Sequence, residues 1–334
     1  GYVPLEGATS RHGWWVANNI GARSTTDTSP ETPPGKRRVL IFGESFASGS
    51  RVRQEDAWAT LLAAGNPDLE IVNLAVDAYG MAQSFLRFRA TTRLHEYDTA
   101  MLVFAPAVDL WRDVNTIRSL AKPDWNSYTV MPRFVVDEGR LTLVKSPYEI
   151  GSEVYRDNAH GLSETLRRHL RAYDRFYFRT RYESPPIIGD LVLWKIAATL
   201  YSTLQKALLL RSIGVGHVDL GSEATRVSRE IFEAMRNEVE ARNKQFVLVI
   251  LPEHSGLRKI HRGARSGENW QRMVSTFCEG RVQCIDVTPA LLSAPPEELD
   301  RGHDGTHYGP KMNRIVAATV ADGLRHLRAP EALK

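Results

Sequence analysis

The amino-acid sequence predicts a three-layer α/β domain built on a parallel β-sheet. Short apolar runs of strand length alternate with longer segments in which apolar residues recur at helical spacing. This alternation of strand and helix is typical of a parallel sheet that helices cover on both faces. It is clear in residues 37–110 and 225–330 and is interrupted between them. We therefore expect one domain formed by these two parts, with residues 111–224 as an insertion.

The first part, residues 37–110, supplies three predicted strands and two predicted helices. The strands are expected at residues 39–42, 69–74 and 100–104, and the helices at residues 56–64 and 81–94. Gly65 follows the first helix and is expected to stop it as a C′ glycine.

The second part, residues 225–330, continues the same alternation. Val227, Ile231, Met235 and Val239 mark one face of a predicted helix. The elements expected after it are a strand at 246–251, a helix at 270–277, a strand at 282–287 and a helix at 313–327. Together the two parts provide five strands for one sheet.

Residues outside these two parts do not follow the alternation of strand and helix. Residues 1–36 lack periodicity and are rich in Gly, Thr, Ser and Pro, which predicts a strap or linker. The insertion begins with a probable hairpin at residues 133–137 and 141–144, and it includes a long amphipathic helix at 191–210. Because it follows the third strand, we expect it at the carboxyl edge of the sheet as a lid-like region.

An arginine-rich segment lies within this insertion. Six arginines between residues 167 and 181 interleave with Tyr and Phe residues. One interpretation is a site for an anionic polymer or a lipid surface. The alternative, which we favour, is a helix whose aromatic residues pack inward while its arginines are solvated. The net charge of +4 does not demand a nucleic-acid partner, and none is predicted.

A serine at the end of the first strand is the candidate nucleophile. The apolar run at 39–42 ends in Gly43-Glu44-Ser45. Ligands bind at the carboxyl ends of parallel strands, where N–H groups at the start of the next helix face them. Serine attacks only when a base takes its proton, so Ser45 requires a histidine and a carboxylate from elsewhere in the chain.

Both groups occur near the other end of the chain. Asp304 and His307 lie three residues apart in a Gly-rich loop, so one loop can carry the base and the group that orients it. The helix predicted at 313–327 would anchor this loop against the sheet.

These two blocks resemble the SGNH or GDSL hydrolases, whose four motifs are Gly-Asp-Ser, a Gly, an Asn, and Asp-x-x-His. Gly43-Glu44-Ser45 is similar to the first motif, and the segment from Asp304 to His307 is similar to the last. The resemblance implies a three-layer, flavodoxin-like parallel sheet of the SGNH hydrolase type. It also implies that Ser45 attacks an ester carbonyl, that His307 is general base and then acid, and that Asp304 supports His307.

The chain departs from this pattern in the motifs that form the oxyanion hole. By alignment the family's glycine falls on Ala78, with Gly80 as the alternative, and its asparagine falls on Val108. The hole is then expected to consist of the Ser45 and Ala78 backbone N–H groups, without a side-chain donor. Loss of one donor typically lowers kcat ~10²–10³-fold. Glu44 also replaces the family's aspartate.

The other histidines and the cysteines receive weaker predictions. His254 is expected in a loop rather than in the pocket wall, and His303 as a neighbour that tunes the loop of Asp304. No cluster has metal-ligand spacing, so neither a metal nor a cofactor is expected. Cys278 and Cys284 are either bridged or two free thiols.

The sequence also leads to expectations about the cellular compartment and about membrane-spanning segments. A bridge between the cysteines would indicate an oxidising compartment, and many members of the resembled family act outside the cytoplasm, so we favour a periplasmic or secreted site over a cytoplasmic one. No uncharged apolar run is long enough to span a membrane. The first residues, 1–4, look like the start of a mature or trimmed chain.

From the residues and the resemblance we expect a serine esterase that hydrolyses an acyl ester of a small molecule or glycan without a cofactor, with an O-acetylated carbohydrate favoured. The alternatives are an acyltransferase that uses the same triad and a catalytically weak glycan-binding module. Val108, which takes the place of a side-chain donor, favours the binding module.

Overall fold

The computed structural model describes residues 3–10, 12–122, 129–149, 151–158, 161–183, 185, 187–214, 217–279 and 283–327. Its strands are β1 (Arg37–Phe42), β2 (Leu69–Asn73), β3 (Thr99–Phe104), β4 (Arg133–Asp137), β5 (Arg140–Val144), β6 (Ile213–Gly214), β7 (His217–Val218), β8 (Gln245–Ile250) and β9 (Gln283–Asp286). Two short 3₁₀ turns, Gln54–Asp56 and Pro296–Glu298, accompany them.

The α-helices occupy most of the segments between the strands. They are α1 (Ser45–Ser48), α2 (Trp58–Gly65), α3 (Met81–Thr91), α4 (Pro106–Arg112), α5 (Arg118–Ala121), α6 (Gly151–Asp157), α7 (Glu164–Tyr173), α8 (Arg179–Tyr182), α9 (Val192–Ser212), α10 (Glu223–Glu240), α11 (His254–Arg262), α12 (Ala264–Cys278), α13 (Thr288–Ser293) and α14 (Pro310–His326).

Five strands form one parallel sheet in the order β2-β1-β3-β8-β9. Numbered by their place in this sheet, the order is 2-1-3-4-5, which is the flavodoxin-like arrangement. The predicted fold class is therefore confirmed. The order reverses between β1 and β3, so the crevice at their carboxyl ends is where a ligand is expected in such a sheet.

The two faces of the sheet pack against separate helices. Leu40, Phe42 and Leu102 belong to a core formed with α3, α10 and α12. Ile41 and Val103 belong to a second core formed with α2 and α14. Because successive side chains of a strand point to opposite faces, the continuous apolar strands β1, β3 and β8 fill both cores.

Some predicted boundaries differ from the structure. Gly65 was expected to stop the first helix, but it is the last residue of α2, and Asn66 is the cap. The last predicted strand is observed as β9, and residue 282, with which it was expected to begin, lies outside the described residues. Residues 1 and 2, at the predicted chain start, also lie outside them.

The insertion holds the predicted hairpin, formed by β4 and β5. The arginine-rich segment was expected as one helix, but it divides into α7 and α8 because the Asp174 carboxylate bonds to the backbone N–H groups of Thr116, Ile117 and Phe176. Phe176 is buried while its flanking arginines are exposed, as the favoured interpretation required. Whether residues 111–224 act as a lid stays a prediction.

The long predicted helix of the insertion is α9, whose apolar side chains are largely exposed. Among the helices of the described residues, none combines the length and the apolar character needed to cross a bilayer.

The two cysteines are bridged. Cys278 at the end of α12 and Cys284 in β9 form a disulfide, with their Cα atoms 5.6 Å apart. Residues 280–282 of the intervening turn lie outside the described residues. The first of the two alternatives for these cysteines therefore holds in the structure, and the oxidising compartment stays a prediction.

Candidate active site

The turn after β1 presents Ser45 at the carboxyl edge of the sheet. Gly43 has φ +157°, and a Cβ atom there would lie 2.5 Å from the Cβ atom of Ala47 and 3.0 Å from the Val103 carbonyl oxygen. Only glycine fits this position. Glu44 then caps α1, because its Oε1 atom accepts from the Phe46 N–H at 2.8 Å. These constraints hold Ser45 as the first residue of α1.

The predicted base lies in the loop that precedes α14. The Asp304 carboxylate accepts from the backbone N–H groups of Thr306 and His307 at 2.9 and 3.0 Å. Burial alone would raise the pKa of Asp304, but these hydrogen bonds and the neighbouring imidazole of His307 lower it below its ordinary value. Asp304 therefore remains a carboxylate beside the histidine.

The structure brings the three predicted residues into one hydrogen-bonded chain. His307 Nε2 lies 2.7 Å from Ser45 Oγ, and His307 Nδ1 lies 2.6 Å from Asp304 Oδ2. The imidazole also packs against the Phe46 ring, with centroids 4.8 Å apart. Ser45 is only 6% exposed. An imidazole and a carboxylate thus lie in line behind a buried hydroxyl, an arrangement that can activate a serine.

Glu44 is a second acceptor for the same hydroxyl. Its Oε2 atom lies 2.6 Å from Ser45 Oγ and 3.3 Å from Arg112 Nη1, and the Glu44 side chain is fully buried. A hydroxyl carries one proton, so Ser45 donates either to Glu44 or to His307 at any moment. Motif reasoning identified Glu44 only as a replacement for aspartate and missed its buried ion pair with Arg112.

Asp109, next to Val108, lies close to this ion pair. Burial, followed by the charge of Glu44, raises the pKa of Asp109 well above its ordinary value. Its Oδ2 atom accepts from the Ala105 N–H at 2.8 Å. Of the two neighbouring carboxyl groups, Asp109 is the one driven towards its neutral form, and Glu44 is the one paired with Arg112.

The backbone N–H groups predicted for the oxyanion hole are those of Ser45 and Ala78. Among the described residues, the N–H groups of Ser45 and Ala78 donate to no other protein group. Ala78 has φ +68°, a left-handed conformation that favours glycine. The alternative, Gly80, donates its N–H to Gln83 Oε1 at 2.7 Å. Ala78 therefore has the available N–H, and Gly80 does not.

Two buried arginines support this loop, and sequence reasoning missed both. Arg112 Nη1 donates to the Tyr79 carbonyl at 2.8 Å, and Arg118 Nε donates to the Ala78 carbonyl at 3.1 Å. Arg118 begins α5, in the predicted insertion, so the insertion contacts the loop that carries the second donor. No local pattern distinguishes these arginines from the solvated ones nearby, and only their burial identifies them.

A cavity of about 290 Å³ is lined in part by Phe46 and Thr306, the chain neighbours of Ser45 and His307. Val108 also forms part of its wall. Val108 is half-buried and its isopropyl group offers no hydrogen-bond donor. His254, expected in a loop, is instead the first residue of α11 and lines this cavity. His254 is helical because the connection between β8 and α11 is short, so α11 begins soon after the strand ends.

The N-terminal segment reaches the same edge of the sheet. The ring of His303 lies 5.2 Å from the ring of Trp14, between centroids. Arg23 donates to the carbonyl groups of Ser48 and Val52 at 2.8 and 2.9 Å. The N-terminal segment thus contacts both the loop of His307 and the helix of Ser45.

Comparisons with known proteins give a likeness in structure only. No family model matches the sequence, and no curated protein matches it. A lipolytic protein of the G-D-S-L family from Desulfitobacterium hafniense is 10% identical, with 86% of this chain and 99% of that chain covered and a TM-score of 0.43. An acetylxylan esterase from Geobacillus stearothermophilus is 9% identical, with coverage of 88% and 96% and a TM-score of 0.43. A lipase/acylhydrolase from Enterococcus faecalis is 12% identical, with coverage of 89% and 100% and a TM-score of 0.42. Similarity at this level assigns no activity to the chain.

Proposed function

We propose that this protein is a serine hydrolase that cleaves an acyl ester. The observation that supports it is the continuous chain from Ser45 Oγ through His307 to Asp304, with contacts of 2.7 and 2.6 Å. These distances are those of a nucleophile, a base and the group that orients the base.

The proposed chemistry has two steps. Ser45 Oγ attacks the ester carbonyl carbon while His307 Nε2 takes the hydroxyl proton. His307 then gives that proton to the departing alcohol, which leaves an acyl group on Ser45. In the second step His307 takes a proton from water while the water oxygen attacks the acyl carbon. The bond between this carbon and Ser45 Oγ then breaks, His307 returns the proton to Ser45 Oγ, and the carboxylic acid is released. Asp304 keeps the imidazole in the orientation that both steps need.

The negative oxygen of the tetrahedral intermediate would accept from the N–H groups of Ser45 and Ala78. Val108, in the position of the family's asparagine, adds no donor, so this hole is weaker by one donor than the family pattern. An ester, with its good leaving group, is a more suitable substrate for such a site than an amide. Within esters, an O-acetylated carbohydrate remains the favoured substrate.

Val108 also favours a second candidate, a glycan-binding module that hydrolyses its ligand weakly. An acyltransferase is the third possibility, in which an acceptor hydroxyl replaces water in the second step. Covalent labelling of Ser45 by a fluorophosphonate would support either enzyme over the binding module, and acyl transfer to an added alcohol without hydrolysis would distinguish the transferase.

The test is hydrolysis of 4-nitrophenyl acetate by variants of the triad. Ser45→Ala and His307→Ala should each lower kcat by roughly 10⁴-fold or more, because the nucleophile and base act as one unit. Ser202→Ala is the matched control, since within the described part of the chain its buried hydroxyl bonds only to the Thr199 carbonyl of its own helix, α9. Wild-type turnover in Ser45→Ala would refute the proposal.

A further inference from the structure

Basic side chains from three separate segments line the cavity that Phe46 and Thr306 border. Lys122 follows α5, Arg258 lies in α11, and Arg301 precedes the loop of His307. Glu253 is the acidic residue among those that line the cavity. Arg258 and Arg301 carry two formal positive charges against the one negative charge of Glu253, so this part of the wall is cationic.

The two arginines of this wall lack protein counter-ions. In the described part of the chain, neither Arg258 nor Arg301 forms an ion pair with a carboxylate. The nearby acidic groups are engaged elsewhere: Asp304 contacts His307 and Arg51, and the Asp300 carboxylate accepts from backbone N–H groups at the start of α14. The guanidinium groups are therefore available to an anion that enters the cavity.

The charges of the same two arginines act on His254. It lines the cavity, and its Nε2 atom lies 3.1 Å from the Asp300 carbonyl oxygen. Burial lowers the pKa of His254, and the charges of Arg301 and Arg258 lower it further. Both arginines, which line the cavity, thus lie close enough to the His254 ring to oppose a positive charge on it.

We propose that this cavity binds an anionic group of the substrate, so that the enzyme prefers acyl esters whose alcohol part carries a carboxylate. The inference rests on the proposed function, because it places this group beside the ester that Ser45 attacks. A volume of about 290 Å³ is at the low end for small-ligand sites and suits one ring of a substrate. Arginine is the residue best suited to hold a carboxylate, by two parallel hydrogen bonds.

The experiment compares two esters that differ only in charge. The anionic probe is a mono-O-acetylated methyl galacturonoside, and the neutral probe is the same compound with its carboxylate methylated. Acetate release by the wild-type protein should favour the anionic probe in kcat/KM. The double variant Arg258→Gln/Arg301→Gln should lose about tenfold on the anionic probe, mainly in KM, and change less than about twofold on the neutral one.

Two further variants sharpen the test. Arg229→Gln removes the same charge from the exposed side of α10, outside the cavity wall, and should leave both probes unaffected. Glu253→Gln should have the opposite sign and raise the preference for the anionic probe a few-fold. Added salt should weaken the preference, because the arginines are exposed.

Failure of the subsite and failure of the proposed function are distinguishable. Equal use of both probes by the wild type, or equal losses on both in the double variant, would overturn the subsite while hydrolysis persists. If neither probe is hydrolysed, the esterase proposal fails for these esters. The anionic subsite is then tested by measuring how tightly the deacetylated compounds bind. Deacetylated methyl galacturonoside should then bind Ser45→Ala more tightly than its methyl ester, and equal binding would overturn the inference.

Discussion

The two segments that form the candidate triad are held in place by different means. Residues 43–48, which carry Ser45, are buried throughout, whereas residues 303–306 of the loop that carries Asp304 are exposed. Packing against β3 and the Glu44–Arg112 ion pair position the buried turn. The exposed loop is held by its own hydrogen bonds, such as Gly302 N–H to the His307 carbonyl at 2.7 Å. Equivalent substitutions in the two segments should therefore have unequal costs.

The largest effect is expected in the buried turn, from Glu44→Gln. This change removes the Glu44 carboxylate from its ion pair with the Arg112 guanidinium, which is 3% exposed. Removal of one partner from a buried ion pair typically costs ~3–5 kcal/mol, because the remaining charge stays desolvated. We expect a loss of this size in the free energy of unfolding, measured by urea denaturation.

The double variant Glu44→Gln/Arg112→Met is the control for this interpretation. Replacing both charged groups takes both charges of the pair out of the buried turn, so the double variant should recover part of the stability that Glu44→Gln loses. A loss below about 1 kcal/mol in Glu44→Gln would show that the pair is not what holds the turn.

The sequence predicted the sheet, and it singled out the three residues of the candidate triad that lie in contact in the structure, because both depend on local patterns. Continuous apolar runs mark strands that are buried on both faces, and the motifs around Ser45 and His307 are contiguous in the chain. The partners of Glu44 and Ala78 could not be predicted. Arg112 is separated from Glu44 by 68 residues and Arg118 from Ala78 by 40 residues, and nothing in their local sequence marks them as buried.

The break in the predicted arginine-rich helix also depends on residues that are distant in the sequence. Asp174 interrupts the arginine-rich segment because it accepts hydrogen bonds from residues that are 57 and 58 positions away in sequence. A carboxylate in an amphipathic pattern is otherwise compatible with a solvated helix face. Tertiary partners, rather than propensity, decided where this helix ends.

A smaller effect, dependent on pH, is expected in the exposed loop from Asp304→Asn. Because the pKa of Asp304 is lowered in the folded protein, the unfolded chain takes up the proton first as the pH falls. The stability from the ionised carboxylate is therefore fully present above its ordinary pKa of about 3.9 and is lost as the pH falls through the lowered folded value.

The measurement is the difference in Tm between wild type and Asp304→Asn from pH 7 to pH 3. The difference should correspond to about 1 kcal/mol at neutral pH, since the loop is partly exposed, and should shrink below pH 4. A difference that stays constant over this range would mean that the charge of Asp304 does not stabilise the loop.

The smallest effect should come from Arg51→Gln, which breaks the exposed counterpart of the buried ion pair. Arg51 Nε lies 3.5 Å from Asp304 Oδ2, and the two side chains are 53% and 31% exposed. Exposed pairs contribute ~0.2–1 kcal/mol and are screened by salt, so the loss should be within this range and should fall further at 1 M salt. Arg53→Gln is the matched control, because the Arg53–Glu55 pair is longer, at 4.0 Å, and more exposed. Urea denaturation of the two variants beside Glu44→Gln gives the comparison directly. If Arg51→Gln cost as much as Glu44→Gln, burial would not be what separates the turn of Ser45 from the loop of His307.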